Sequence, residues 1–393
     1  MRRVAVLGGG PAGSVAAARL AAAGLETVLL DEKLAWEKPC GGGITWKAYA
    51  QYPFLIDNPA PRKTVRRTLL TESRAGSAVL QLPEPLLIYS REDFNGMLLE
   101  RAARSGAQLE KERAIGLERT SGGWRVRTRS GALEADYVIV ATGARNALRG
   151  VGTEYQASDT MCALGYYVPG EQDHVEIQFF PGFEGYLWVF PRCGHLSVGI
   201  CGKGVPSAAM RARLEQWMLD RRLPLRDSVF YGHTIPSLER PSWSRNRLAG
   251  EGWAAVGDAA GLVDPVTGEG IYYAVRSGDL AAAVLLDDAH SLAAKPAAYR
   301  ELLHHDFIAD LAFGAGFAKR FFLQRLLDSS VPGRMIEFMR RSPSMTRIVQ
   351  DLFAGTQNYL ALKRRLLESL NGTMLEIVMG SMLSRRVVQE GER

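Results

Sequence analysis

The sequence has few cysteines, no long apolar run and no low-complexity tract. Its 393 residues hold four cysteines, Cys40, Cys162, Cys193 and Cys201. None forms a CxxC pair or a metal-type spacing, so neither a zinc site nor a disulfide framework is expected, and a reducing, cytoplasmic setting is the simplest expectation. No apolar stretch approaches the ~20 residues of a membrane-spanning helix. Arg2 and Arg3 precede an apolar stretch that runs directly into a glycine motif with no cleavage pattern, so no signal peptide is expected there. Zinc-finger, RNP and other nucleic-acid signatures are missing, so no nucleic-acid partner is expected.

The net charge is modestly positive, with 48 Lys and Arg against 42 Asp and Glu. Part of the excess lies late, in Lys319-Arg320, Arg340-Arg341, Lys363-Arg364-Arg365 and Arg385-Arg386. These residues read either as a solvated helix face or as a contact with an anionic surface, for which a membrane fits better than nucleic acid. The oligomeric state is left open.

The first informative stretch is RRVAVLGGGPAGSVAAARLAAAGLETVLLDE. Residues 3 to 7 predict a buried strand, then Gly8-x-Gly10-x-x-Gly13, an Ala-rich helix to about Gly24, and a second strand from Thr27 to Leu30. This is a βαβ dinucleotide fingerprint: Gly8 for the tight turn, Gly10 for approach of a pyrophosphate, and Gly13 for helix–strand packing. The phosphates would sit at the helix N-terminus. Asp31, with Glu32 as the fallback, would take the ribose hydroxyls.

Three further segments carry a family resemblance. The stretch WAAVGDAAGLVDPVTGEGIYYAVRSGDLAA, residues 253 to 282, resembles the Gly-Asp motif of flavoproteins with the p-hydroxybenzoate hydroxylase-like fold. Its Pro-x-Thr-Gly-Glu-Gly-Ile run, Pro265 to Ile271, is similar to the geranylgeranyl reductase branch. KPCGGGI, Lys38 to Ile44, resembles that branch's glycine loop along the flavin. Tyr186-Leu187-Trp188-Val189-Phe190-Pro191 resembles its aromatic substrate strand.

The resemblance implies FAD as cofactor. It implies contacts from the fingerprint (with Ala12), Asp258 on the ribityl chain, and Gly270 and Ile271 N–H groups at the flavin ring. It also implies Cys40, Gly41 and Gly43 beside the ring, and cofactor contacts from Arg91 and from Ala114 in a short strand after the Arg91 helix. Tyr186, Trp188 and Phe190, on one face by alternation, would wall a substrate pocket or pack a core. Cys40 is a candidate proton donor or redox-sensitive thiol, with simple space-filling as the alternative.

The implied reaction is reduction of a prenyl carbon–carbon double bond, on an isoprenoid or lipid substrate. Where many relatives carry Asp-Gly, this chain has Thr142-Gly143. That difference weighs against hydroxylase-style use of NAD(P)H, so the electron donor is NAD(P)H or a reduced protein carrier. The alternatives are a flavin monooxygenase or halogenase on the same fold, or a non-catalytic flavin-binding, membrane-associated protein.

The expected fold is α/β. A discontinuous Rossmann-like FAD domain (1–55, 90–155, 245–300) carries an inserted, mostly antiparallel substrate domain (56–89, 156–244). A helical C-terminal region (301–393) follows, with breaks at Pro332-Gly333, Pro343, Gly355 and Asn371-Gly372. Those helices would cap the core, floor a tunnel for a long apolar substrate, or rest peripherally on the inner face of the cell membrane.

Overall fold

A computed structural model of the chain describes residues 1–326, 328–362 and 364–368. Asn371-Gly372, Arg385-Arg386 and Lys363 lie outside the described residues.

The fingerprint strands lie at the centre of a six-stranded sheet. Its order is Ala249–Gly250, Trp253–Ala255, Tyr137–Val140, Arg3–Leu7, Glu26–Leu30, Gln108–Glu110. All neighbours are parallel except the first pair. Val4 to Leu7 and Val138 to Val140 are almost wholly buried, as a sheet covered on both faces requires. The covering helices, Pro11–Ala22 and Ile271–Leu286, approach closely because they meet through glycine. A Cβ on Gly13 would lie 2.0 Å from the Gly8 carbonyl oxygen, and one on Gly278 would lie 2.2 Å from that of Ala12.

The second sheet has eight strands, ordered Val229–Pro236, Thr160–Pro169, His195–Gly202, Gly185–Pro191, Val175–Phe179, Arg62–Glu72, Gly76–Tyr89, Gly43–Ile44. It is antiparallel except where Val175–Phe179 runs parallel to Arg62–Glu72. Alternation divides its faces. Leu187, Val189, Val198 and Ile200 pack against the helix Ser207–Asp220, whereas Ile177, Phe179 and Trp188 face the C-terminal helices. Gly43–Ile44 pairs with residues 87–88, so the glycine loop ends as an edge of this second sheet. A small three-stranded sheet (Gly116–Thr120, Gly123–Arg127, Ala132–Ala135) has no counterpart in the sequence reading.

Helices Ala309–Leu323, Val331–Met339 and Pro343–Ala354 lie across the inner face of the eight-stranded sheet. Pro332 and Gly333 do not break a helix. They form the first turn of one, where proline is tolerated and Ser330 accepts the Gly333 N–H. Pro343 likewise opens its helix behind Ser342, and Gly355, at φ 77°, ends it.

Beyond Gly355 the chain is tied back to the first domain. The buried Tyr359 hydroxyl reaches both oxygens of Asp264, at 2.8 and 2.9 Å. Tyr359→Phe is therefore expected to cost about 1–3 kcal/mol of unfolding free energy, read by urea denaturation. An unchanged midpoint would show that the tether contributes nothing.

Candidate functional site

The glycine loop is anchored by residues that flank it. The Glu37 carboxylate accepts the N–H of Arg91 at 3.0 Å and of Glu92 at 3.1 Å. It thus shares the cap of helix Arg91–Arg104 with Ser90, which accepts from Asp93. Arg192, 0 % exposed, forms an ion pair with Glu37 and donates to the Cys40 carbonyl. The Ser197 hydroxyl donates to that carbonyl as well, at 3.1 Å. Burial pushes the Glu37 carboxyl up, but Arg192 and the two backbone N–H groups outweigh it and hold the pKa below the ordinary 4.5.

The three glycines have an explanation inside the protein. A Cβ on Gly41 would come within 2.9 Å of the Phe190 ring, and one on Gly43 within 3.0 Å. Gly42, at φ 82°, would place a Cβ 2.1 Å from the Tyr89 carbonyl oxygen. The backbone therefore lies flat against a protein aromatic ring. Cys40 is half-buried on the cavity wall, its sulfur accepting the Gly42 N–H at 3.3 Å.

Asp258 lies in the adjoining wall, 2.9 Å from the Lys38 ammonium. Burial raises its pKa, yet Lys38, His233 and Arg91 together bring it below the usual range. The same cations act on His233: burial, then the charge of Lys38, pushes its pKa down to about 4. Arg91 is buried, bonds Asn95 through one terminal nitrogen, and leaves Nε without a partner.

At the nucleotide end, a Cβ on Gly8 would lie 2.2 Å from the Ala141 oxygen, whereas at Gly10 it would meet nothing within 4 Å. Gly10 caps its helix without a side-chain partner. Asp31 accepts the Gly9 N–H at 2.7 Å, so it shapes the glycine turn from beneath. Glu32 points away, 3.5 Å from Arg113 at the surface.

Ala114 is corrected. It lies in no strand, but in the irregular segment between Gln108–Glu110 and Gly116–Thr120. Ala12 is buried between the two covering helices, in contact range of Gly257 and Gly278.

One cavity brings together Lys38, Cys40, Gly41, Gly43, Arg91, Tyr186, Trp188, Phe190, Asp258, Gly270 and Ile271. Tyr186 donates to the Thr267 carbonyl, and its ring centre lies 6.2 Å from that of Trp188. The cavity continues past Ile177 and Phe179 to Phe321, Met335, Leu352 and Phe353.

These residues fit FAD. The open approach at Gly10 suits a pyrophosphate at a helix start. The unpartnered Arg91 Nε and the Lys38–Asp258 pair present charge and hydrogen-bonding capacity to a polar chain, and Gly270 opens the Ile271–Leu286 helix toward the cavity. Sequence reasoning missed Glu37, Arg192, Lys38 and His233 as site residues. Glu37 and Lys38 immediately precede Pro39-Cys40, and Arg192 immediately follows Pro191, so adjacency to the motifs was the available signal.

Removing Arg192 leaves the Glu37 carboxylate and the Cys40 carbonyl short of partners. Arg192→Met is expected to lose about 3–5 kcal/mol of stability, with Arg192→Lys in between. Because the folded Glu37 pKa is depressed, its contribution is full above pH 4.5 and lost as pH falls through the folded value. In Arg192→Met the acid limb of a stability–pH profile should flatten. A profile matching wild type would refute this role.

The profile of the family described as pyridine nucleotide-disulphide oxidoreductase matches residues 2–163. The chloroplastic geranylgeranyl diphosphate reductase of Nicotiana tabacum is 30% identical over 326 residues, covering 72% of this chain and 66% of the relative. The chain thus spans just under two thirds of that relative's length. The geranylgeranyl diphosphate reductase of Synechocystis sp. is 30% identical over 317 residues, with 72% and 75% covered. The digeranylgeranylglycerophospholipid reductase of Methanothrix thermoacetophila is 30% identical over 320 residues, with 72% and 77% covered.

Among solved structures, a geranylgeranyl bacteriochlorophyll reductase-like protein from Thermoplasma acidophilum superposes with a TM-score of 0.69 at 23% identity, covering 90% of this chain and 100% of that one. The flavin-dependent brominase Bmp2 gives 0.69 at 16% identity, covering 94% and 98%. At such identities the likeness is one of fold. On its sequence relatives, the chain belongs to the geranylgeranyl reductase family of flavin-dependent oxidoreductases.

Proposed function

We propose that the protein, with FAD as its resident cofactor, reduces carbon–carbon double bonds of an isoprenoid chain. The observation that carries this reading is the cavity. It starts at the glycine loop and the start of the Ile271–Leu286 helix, passes an aromatic strand, and ends among apolar C-terminal helices. That shape and lining suit a long apolar substrate held with one end at the cofactor.

FAD supplies the hydride when bound. Lys38, Asp258 and Arg91 would hold its polar chain, and the helix start at Gly270 would offer N–H groups to the ring. An isolated alkene accepts hydride poorly, so positive charge builds on carbon during reduction. The faces of Tyr186 and Trp188 lie where they can stabilise that charge, and the apolar walls exclude water. Cys40 adds a small apolar surface beside the ring.

The electrons come from NAD(P)H or a reduced protein carrier. Thr142 stands where many relatives carry a carboxylate, which weighs against hydroxylase-style use of NAD(P)H; its hydroxyl donates to Asn146 at 2.9 Å.

The substrate side also suggests a surface role. No helix among the described residues is long and apolar enough to cross a membrane. Phe313, Leu323 and Leu326 are nevertheless exposed, close in sequence to the exposed basic pair Lys319-Arg320. Peripheral contact with anionic lipid follows from that pairing.

Four measurements test these readings. Anaerobic incubation of dithionite-reduced protein with lipid extract should add a pair of hydrogen atoms per reduced bond, read by mass spectrometry. Asp258→Ala should weaken FAD retention by about 1.5–3 kcal/mol. Oxygen consumption coupled to a substrate, without such mass gains, would instead indicate a monooxygenase. For the surface, binding to vesicles containing phosphatidylglycerol should fall steeply between low and high salt. Binding that ignores both salt and lipid charge would remove the membrane from the account.

A further inference from the structure

Glu269 is in the Gly-Glu-Gly turn between the cofactor motif and the helix Ile271–Leu286, and it lines the cavity. One of its oxygens accepts the Tyr272 N–H at 2.7 Å, and the Ile271 N–H also acts on the carboxyl. Among the described residues no cation lies within ion-pair distance of it. Across the cavity stands Lys47, from the helix Trp46–Gln51, its ammonium 4.3 Å from the Tyr272 ring centre and 5.9 Å from that of Tyr273. Lys47 likewise has no carboxylate within ion-pair distance among the described residues. The cavity wall thus carries a carboxyl and an ammonium that act on each other electrostatically without forming an ion pair, at the turn that leads into the helix Ile271–Leu286.

We infer that Glu269 is the general acid of the reduction, delivering the proton to the alkene carbon that does not receive the hydride, with Lys47 as a positioning residue that keeps the carboxyl rechargeable. This rests on the reductase reading above. In the step, the π bond opens, a C–H bond forms to the incoming hydride, and a second forms as the Glu269 O–H bond breaks. Glu269 is left as a carboxylate, which the Lys47 ammonium stabilises until water returns the proton.

The electrostatics agree. Burial, followed by the nearby Asp264, pushes the Glu269 carboxyl up to about 7, against the opposing pull of the Tyr272 N–H, Lys47 and the Ile271 N–H. The groups facing it are Asp264 in its own turn, Lys47, Tyr272, Tyr273, and the Tyr359 that holds Asp264. Burial lowers the pKa of Lys47, against the opposing charges of Glu269 first and then Asp306, Asp310 and Asp264. An acid with a pKa near the working pH is both protonated and able to give its proton up.

The experiment has two readouts. The first is infrared difference spectroscopy of the full-length protein without flavin, titrated between pH 5 and 9. A protonated-carboxyl band should disappear with a midpoint of about 7. The band should be absent in Glu269→Gln, shifted to higher pH in Lys47→Met, and present but shifted to lower pH in Asp264→Asn. The second is single-turnover oxidation of the pre-reduced, FAD-loaded enzyme by geranylgeraniol without oxygen.

The wild-type rate should fall tenfold per pH unit above about 7. Glu269→Gln, which keeps an acceptor for the Tyr272 N–H, should take up electrons normally but pass them on roughly 10²–10⁴-fold more slowly, without that alkaline limb. Cys40→Ala should keep the limb. A band midpoint near the ordinary 4.5, or wild-type turnover in Glu269→Gln, overturns the proposal. A band at about 7 in a wild-type protein that reduces no prenyl alkene overturns the reductase reading itself, and the acid role with it.

Discussion

The pair Glu37–Arg192 is the contact on which the site's geometry depends. The guanidinium is wholly buried between the glycine loop and the strand that follows the aromatic signature. Through Glu37 it fixes the first turn of helix Arg91–Arg104, and so the position of Arg91. Through the Cys40 carbonyl it fixes the loop itself. A hydrophobic pair of equal volume could fill the space, and buried ion pairs are often replaceable in that way without loss. It could not satisfy a carbonyl and two N–H groups taken out of water at the same place. The pair is therefore better read as the solution to a backbone problem than as a source of stability. The backbone problem is a glycine strip pressed against Phe190.

From that strip the cavity divides into two electrostatic ends. At one, Lys38 and Arg91 lie near Asp258 and hold it ionised, beside a His233 whose pKa is pushed down to about 4. At the other, Glu269 and Asp264 are raised by burial with too little positive charge nearby to compensate. Carboxylates whose surroundings push them apart are a recurrent way to assign fixed charge and movable proton within one site. Here the dividing line is short: Gly270 lies between the two, with Asp258 Oδ1 3.6 Å from where its Cβ would be. A side chain at Gly270 would have to enter that gap, which gives the second glycine of the Gly-Glu-Gly run a role beyond turn geometry.

The local parts of this arrangement were legible because they depend on neighbours in sequence. Strand, glycine turn, helix and strand follow from periodicity and from the steric needs of Gly8 and Gly13, and the split faces of the strand Gly185–Pro191 follow from alternation. The parts that were not legible depend on closure in space. Glu37 and Arg192 are 155 positions apart, and no pattern in either segment specifies the other. The protein partner of the three consecutive glycines was not legible for the same cause: the ring they press against, Phe190, comes from a strand far along the chain. Pro332-Gly333 was read as a break because proline both stops and starts helices, and only the Ser330 cap decides which. Ala114 was expected in a strand because the position was carried over from relatives, and this chain forms no strand there.

The C-terminal helices are what turn a cofactor cleft into an enclosed cavity. Without them the inner face of the eight-stranded sheet would expose Ile177, Phe179 and Trp188 to water, and the carbocation-like charge of an alkene reduction would be quenched by solvent. Their closure is enforced at two points. Gly355 comes so close to the helix Trp46–Gln51 that a Cβ there would lie 3.0 Å from the Thr45 hydroxyl and 3.3 Å from Lys47 Cβ. Tyr359 then bonds Asp264, the residue that accepts the Val266 and Thr267 N–H groups and so shapes the turn leading to Glu269. The segment that excludes water is therefore hydrogen-bonded to the turn that holds the raised carboxyl.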